Sequence, residues 1–167
     1  MISYHPFRNQ DPPAITAIWR TQAGQPGYAQ PVSVDLFEQL VFAKLYFDYD
    51  GLFIAEDDGR PVGFAHAAFG PNDQQNEVSA ELGVTSLILV RPDCNAPGLV
   101  AGLLERCEAY LRRRGAKVLY GGGIQPLNPF YLGLYGGSEL PGVLDTDNVA
   151  RDVYQTHGYT EIDQTVV

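Results

Sequence analysis

The stretch Val90 to Leu104, VRPDCNAPGLVAGLL, sets a run of extended character directly against the start of a helix. A helix start leaves several amides without a carbonyl partner and carries roughly half a positive charge, so a turn of this kind suits a phosphate. Gly98 lets the backbone come close to such a group, because no side chain stands in the way. Pro97 fits the first helical turn, where its missing N–H and fixed φ cause no strain. The amides of Ala96, Gly98, Leu99 and Val100 are the donors on offer. A second constellation is Asp147, Ala150 and Tyr154. Residues three and seven apart on a helix share one face, so a phenol would project from the same side as the carboxylate.

The remaining reactive side chains read more plainly. Cys94 stands beside a helix start but has no histidine partner in view, and two cysteines, Cys94 and Cys107, are too few for a disulfide framework. His66 lies in a strand of small residues, as a structural imidazole or one facing a cleft. His157 serves a helix C-terminus, and Arg112, Arg113 and Arg114 complement the negative end of a helix dipole. No metal site is expected. The net charge of -9 argues against a nucleic-acid partner, whose binding needs Lys and Arg to neutralise phosphates. It favours a cationic or amine-bearing partner or serves solubility. MISYHPFRNQ lacks the basic and apolar regions of a signal peptide, and no apolar run approaches the ~20 residues of a membrane span, so a cytoplasmic protein without a membrane partner is expected.

These groups need elements to position them. A length of 167 residues suggests a single domain over 1–167. Ile15, Ile18 and Trp19 mark one helix after Pro12 and Pro13, and Ser33 is a plausible N-cap for a second carrying Leu36, Phe37, Leu40, Val41, Lys44 and Leu45. Two short apolar runs flank Asp58-Gly59, a strong hairpin signal. Thr85 to Val90 is a buried strand, and the helix after it turns Leu99, Leu103, Leu104, Cys107, Tyr110 and Leu111 inward before Gly115 ends it. KVLYGGG is the next strand, NVARDVYQTH a short helix, and YTEIDQTVV a closing strand. The fold class is α+β, three-layer, with a central sheet and one parallel βαβ unit.

Val90, Pro92, Asn95, Gly98, Val100 and the pair Leu103-Leu104 fall in the register of the acetyl-CoA motif of the GCN5-related N-acetyltransferases (GNAT), and Asp147, Ala150, Tyr154, Gly158 and Tyr159 match the run on that family's last helix. The chain resembles this family over most of its length. The resemblance implies a mixed, mostly antiparallel sheet, acetyl-CoA as acyl donor, and transfer of an acetyl group to a primary amine of a small molecule or peptide. It implies that backbone groups of Leu89 and Val90 hold the pantetheine, that Asn95, Ala96, Gly98, Leu99 and Val100 hold the pyrophosphate, and that Tyr154 protonates the departing thiolate. The attacking amine must be neutral, which needs a base or a water relay at an amine pKa of about 10.4. Glu81 stands where such enzymes often place a carboxylate, with Glu77 the alternative.

Three positions depart from the family pattern. Asn95 replaces Arg or Gln, Val100 replaces a small residue, and Asp147 replaces Asn. The segment IQPLNPFYLGLYGGSELPGVLDT is far longer than the usual ~4 to 6 residues of a connection. It reads as a lid or wall of the acceptor pocket, with Tyr131, Tyr135 and Glu139 as amine contacts, or as a loop packed on its own sheet. Tyr131 and Tyr135 also compete with Tyr154 for the acid role. The alternative function is a non-catalytic module of the same fold that binds acyl-CoA or a protein. A short closing strand would leave a sheet edge for a second subunit or a further domain to complete.

Overall fold

A computed structural model of the chain describes residues 1–124, 130–138 and 142–164. Within them one sheet runs in the order β1 (Ile2–Pro6), β2 (Leu52–Asp57), β3 (Arg60–Pro71), β4 (Val78–Val90), β5 (Val118–Gly121). Neighbours are antiparallel from β1 to β4, while β4 and β5 are parallel and joined through a helix. The expected mixed sheet and its βαβ unit are both present. At the β2–β3 hairpin Asp58 and Gly59 have φ of 48° and 80°. Two successive positive φ values are what a tight two-residue turn between right-twisted strands demands.

Helices α1 (Pro12–Arg20) and α2 (Val34–Phe37) cover one face of the sheet; α3 (Leu99–Arg113) and α4 (Asn148–Thr156) cover the other. The first face buries Ile15, Ile18, Trp19, Phe37, Phe64 and Leu87. The second buries the expected stripe of α3, from Leu99 to Leu111. That helix ends as its glycine predicts. Gly115 has φ 104°, its amide donates to Arg112 O, and the Ala116 amide reaches back to Leu111 O, a paired cap only a left-handed residue allows.

Two elements differ from expectation. Ser33 does cap α2, its Oγ accepting from the Leu36 amide at 3.2 Å, but the α-helix stops after one turn and widens into a π-helical turn over Glu38–Phe42. The change of register turns Phe42 into a cluster with Phe7, Phe37 and Phe47, and Leu45, expected inside, is 98% exposed. The closing segment is the second correction: residues 159–164 form no strand. Beyond Tyr159 they alternate acidic and polar groups around Ile162, which is 71% exposed, so they have no apolar face to lay on a sheet. No helix among the described residues is long and apolar enough to cross a membrane.

Candidate functional site

The site starts where two parallel strands part. β4 and β5 pair only from Leu82↔Val118 to Thr85↔Gly121, with one further bond from the Gly122 amide to Thr85 O at 2.9 Å. Beyond Thr85, β4 runs on to Val90 with no strand on that side among the described residues. Its register with β3 shifts here: His66 faces Leu87, but Ala67 faces Thr85, so Ser86 is an extra residue and β4 bulges. Arg91 N donates to Val62 O, so by alternation Leu89 and Leu87 direct their backbone groups at β3, while Ile88 and Val90 direct theirs outward. This corrects the expectation for Leu89, whose backbone is committed inside the sheet. Val90 does face the open side, and its carbonyl accepts from Gln22 Nε2 at 2.9 Å, a contact between distant segments that no motif signals.

At the end of β4 lies the turn. Ala96, Pro97, Gly98 and Leu99 form a β-turn closed by the Leu99 amide on Ala96 O at 3.2 Å, with Gly98 at φ 76° and ψ 0°. Proline followed by a left-handed residue is the signature of a type II turn. Gly98 is therefore the N-cap of α3 and Pro97 precedes the helix rather than opening it. The Leu99 amide is consumed by the turn, which corrects its role as a donor. The amides of Ala96, Gly98, Val100 and Ala101 have no acceptor among the described residues. A Cβ placed on Gly98 would touch nothing within 4 Å, so the glycine is required by its φ and leaves the approach to these amides clear. Asn95 is exposed and caps nothing, and Val100 is half-buried on the helix. Beside the turn, Asp93 accepts from Arg60 at 2.7 Å and from Arg91 at 3.0 and 3.1 Å. Two guanidinium groups against one carboxylate leave a local positive balance on a chain of net charge -9. Unpaired amides at a helix start beside that balance fit an anion such as a pyrophosphate.

The third part is α4. Asp147 caps it, Oδ1 accepting from the Ala150 amide at 3.1 Å. Its Oδ2 accepts from two phenols, Tyr28 and Tyr135, each at 3.0 Å. Burial pushes both phenols well above their ordinary pKa, so they remain donors. The helix closes on Gly158, φ 82°, with the Gly158 amide on Gln155 O and the Tyr159 amide on Tyr154 O. That cap folds Tyr159 back onto Tyr154, ring centroids 5.0 Å apart, which is the physical content of the spacing from Tyr154 to Gly158-Tyr159. The Tyr154 hydroxyl donates to Thr85 O at 3.1 Å, at the point where the strands part. Burial holds this phenol protonated. Its ring lies on Gly121, where a Cβ would come within 2.8 Å of it. The run of glycines after Tyr120 was the available signal for that close approach. A small cavity beside the hydroxyl is lined by Ser86, Ile88, Gly122, Tyr135, Asp147 and Tyr154.

Other expected residues are not gathered here. Glu81 is exposed and paired with Lys117 at 2.5 Å, a contact that lowers its pKa; four residues of strand, about 13 Å, separate it from Thr85. Glu77 is exposed and accepts from Asn72. The carboxylate the fold brings to the cavity is Asp147. Tyr131 is buried, stacked on Trp19 at 6.1 Å, and its hydroxyl meets His66 Nδ1 at 3.0 Å on the α1 face. It is a core residue rather than a pocket wall. Tyr135 is buried too, but reaches the cavity. Glu139 lies outside the described residues. His157 binds Val153 O at 2.8 Å, at the helix end as expected.

An open strand edge with a buried phenol at one end and a helix start with free amides at the other suits an extended, anion-bearing ligand, and comparison with known proteins identifies the family. The family described as Acetyltransferase (GNAT) matches residues 14–136, and the chain belongs to it. An uncharacterized N-acetyltransferase of Methanocaldococcus jannaschii is 29% identical over 89 residues, which span 50% of this chain and 38% of that protein. The ribosomal-protein-S18-alanine N-acetyltransferase of Escherichia coli superposes with a TM-score of 0.61 at 20% identity, covering 98% of this chain and 80% of the other. A predicted acetyltransferase of Clostridium acetobutylicum, solved with acetyl-CoA, superposes with a TM-score of 0.61 at 16% identity, covering 100% and 95%. At such identities the structural likeness establishes the fold.

Proposed function

We propose that this chain transfers the acetyl group of acetyl-CoA to a primary amine of a small molecule or peptide, as a single domain. The observation that carries the reading is an order along β4: the Tyr154 hydroxyl at the parting from β5, then the outward edge of Ile88 and Val90, then the free amides at Gly98, Val100 and Ala101. Acetyl-CoA supplies an activated thioester whose sulfur leaves as a thiolate. The turn holds the anionic end of the cosubstrate, and Ile88 and Val90 pair with its extended arm as a missing strand would. Tyr154, kept protonated by burial, gives up its proton at the sulfur. The acidic surface favours an acceptor that arrives as a cation. Its proton leaves through solvent or Asp147, since Glu81 stands too far off.

A second reading, a binding module without turnover, has one observation in its favour: the Tyr154 proton is already directed at Thr85 O. Calorimetric titration with acetyl-CoA, followed by an amine panel monitored for free thiol, separates the two. Ligand at ~100 times its Kd should stabilise the fold by about 2.7 kcal/mol. Binding with no turnover across the panel would leave the module; no binding at millimolar acetyl-CoA would end both readings.

A further inference from the structure

We propose that the Ser86 hydroxyl is a second hydrogen-bond donor at the reaction centre, directed at the sulfur beside Tyr154; the proposal rests on the acetyl-transfer reading. Ser86 is the residue that the β4 bulge inserts between Leu87, opposite His66, and Thr85, opposite Ala67. Val84 and Leu87 both pack in the cluster under α1 and α2. Since side chains otherwise alternate along a strand, the two residues between them turn to the α3–α4 face. That is the face of Tyr154 and Ala150, and Ser86 lines the same cavity as Tyr154.

The hydroxyl of Ser86 is unspent. Ser86 is 4% exposed, and its Oγ has no hydrogen-bond partner among the described residues. A buried hydroxyl without a partner weakens a fold unless something outside the chain satisfies it. Tyr154, in contrast, already donates to Thr85 O. Two hydroxyls therefore border one cavity, one engaged and one free.

An alcohol is too weak an acid to surrender its proton to a thiolate, so Ser86 acts by hydrogen bonding. In the transfer a C–N bond forms, the C–S bond breaks and its electron pair stays on sulfur. The proton that neutralises sulfur comes from Tyr154, which recovers one from the nitrogen that has lost it to the site. Ser86 stabilises the charge while it resides on sulfur.

Ser86→Ala tests this in the intact chain with CoA itself. The unliganded variant should melt at the same temperature as wild type or higher, since it loses only an unpartnered hydroxyl. The thiol of bound CoA, titrated by the ultraviolet absorbance of its thiolate, should need a pH about one unit higher to ionise, and kcat should fall about 10- to 100-fold with KM for acetyl-CoA little changed, the range for a hydrogen bond to a charged group. A variant that melts well below wild type shows that Ser86 has a structural partner, and the proposal fails. An identical thiol titration in wild type and variant also overturns it while leaving acetyl transfer intact. Wild type that binds no CoA overturns both.

Discussion

The turn after β4 and the segment between β5 and α4 lie at opposite ends of the open edge of β4, and they are built in opposite ways. The turn is exposed backbone: Asn95 and Gly98 lie at the surface, and the free amides are held in place by one left-handed residue. The later segment places an aromatic group in the core, with Phe130, Tyr131, Leu134 and Tyr135 each no more than 5% exposed. Its two tyrosine hydroxyls are spent internally, on His66 and Asp147. An anion cradle needs only local conformation, which residues a few places apart can encode. The second region takes its shape from side chains that meet across more than a hundred residues, such as Tyr28 and Asp147.

The largest expected effect breaks the link between the two regions at Tyr154. Tyr154→Phe keeps the ring on Gly121 and against Tyr159 and removes the proton donor. A positioned acid contributes about 10²- to 10⁴-fold, so kcat should drop by that factor while acetyl-CoA affinity measured by calorimetry stays near wild type. Thr85 O keeps its bond from Gly122, so the fold should lose only about 1 kcal/mol. Undiminished kcat would move the acid role to Tyr135 or water.

Asp147 sharpens the comparison from the second region. Asp147→Ala removes the α4 cap and strands two buried phenols, a loss of about 2 to 4 kcal/mol in urea unfolding. Asp147→Asn keeps an acceptor oxygen for the cap and should cost less than half as much. Equal losses would mean that the negative charge, rather than the hydrogen-bond geometry, holds the helix start.

Much of the turn and of the α4 cap was legible because their determinants are short-range. The spacing from Val90 to Leu104 located the turn, and Tyr154-x-x-x-Gly158-Tyr159 located a cap whose geometry forces one tyrosine onto the other. The errors share one cause. A motif position does not say which way a backbone group points: pairing with β3 turns Leu89 into the sheet, and the Pro97-Gly98 turn, whose residue types do signal type II geometry, consumes the Leu99 amide. Glu81 lies four strand residues from Thr85, and at about 3.3 Å per residue that spacing puts it beyond reach of the Tyr154 hydroxyl. Tyr131 looked like a pocket wall until Trp19 and His66 closed around it. Ser86 itself carried no signal, since a serine in a strand is unremarkable until its neighbours leave it unpaired.

The packed region makes its own prediction with pH. His66 is fully buried against Phe47, Phe130 and Tyr131, and desolvation pushes its pKa down to about 3. The native state therefore keeps it neutral while the unfolded chain binds a proton below about 6.5. Stability from this group is complete above pH 6.5 and is lost progressively as pH falls toward 3, about 2 kcal/mol of it between pH 7 and pH 5. His66→Phe should flatten that part of the urea-unfolding profile by the same amount, whatever it costs at pH 7 through the stranded Tyr131 hydroxyl. A slope unchanged by the substitution would place the proton uptake elsewhere.

The smallest effect comes from the open region, and it decides whether the turn is a cradle or a connector. Gly98→Ala introduces a Cβ that meets nothing within 4 Å, so the folded chain suffers only from holding φ at 76°. A left-handed non-glycine residue costs about 1 to 2 kcal/mol, and thermal unfolding without ligand should show that much. If a phosphate lies against the Gly98 amide, the added methyl also stands in its path. CoA binding should then weaken by about tenfold or more, a further 1.4 kcal/mol, measured by calorimetry well below the melting temperature so that the loss of fold stability does not enter. Val100→Ala is the control: its side chain sits two residues further on, inside the first turn of α3, so trimming it should leave CoA affinity equal or improved. A Gly98→Ala protein that is less stable but binds CoA as tightly as wild type would confine the glycine to turn geometry and leave Ala96, Val100 and Ala101 as the amides available to the ligand.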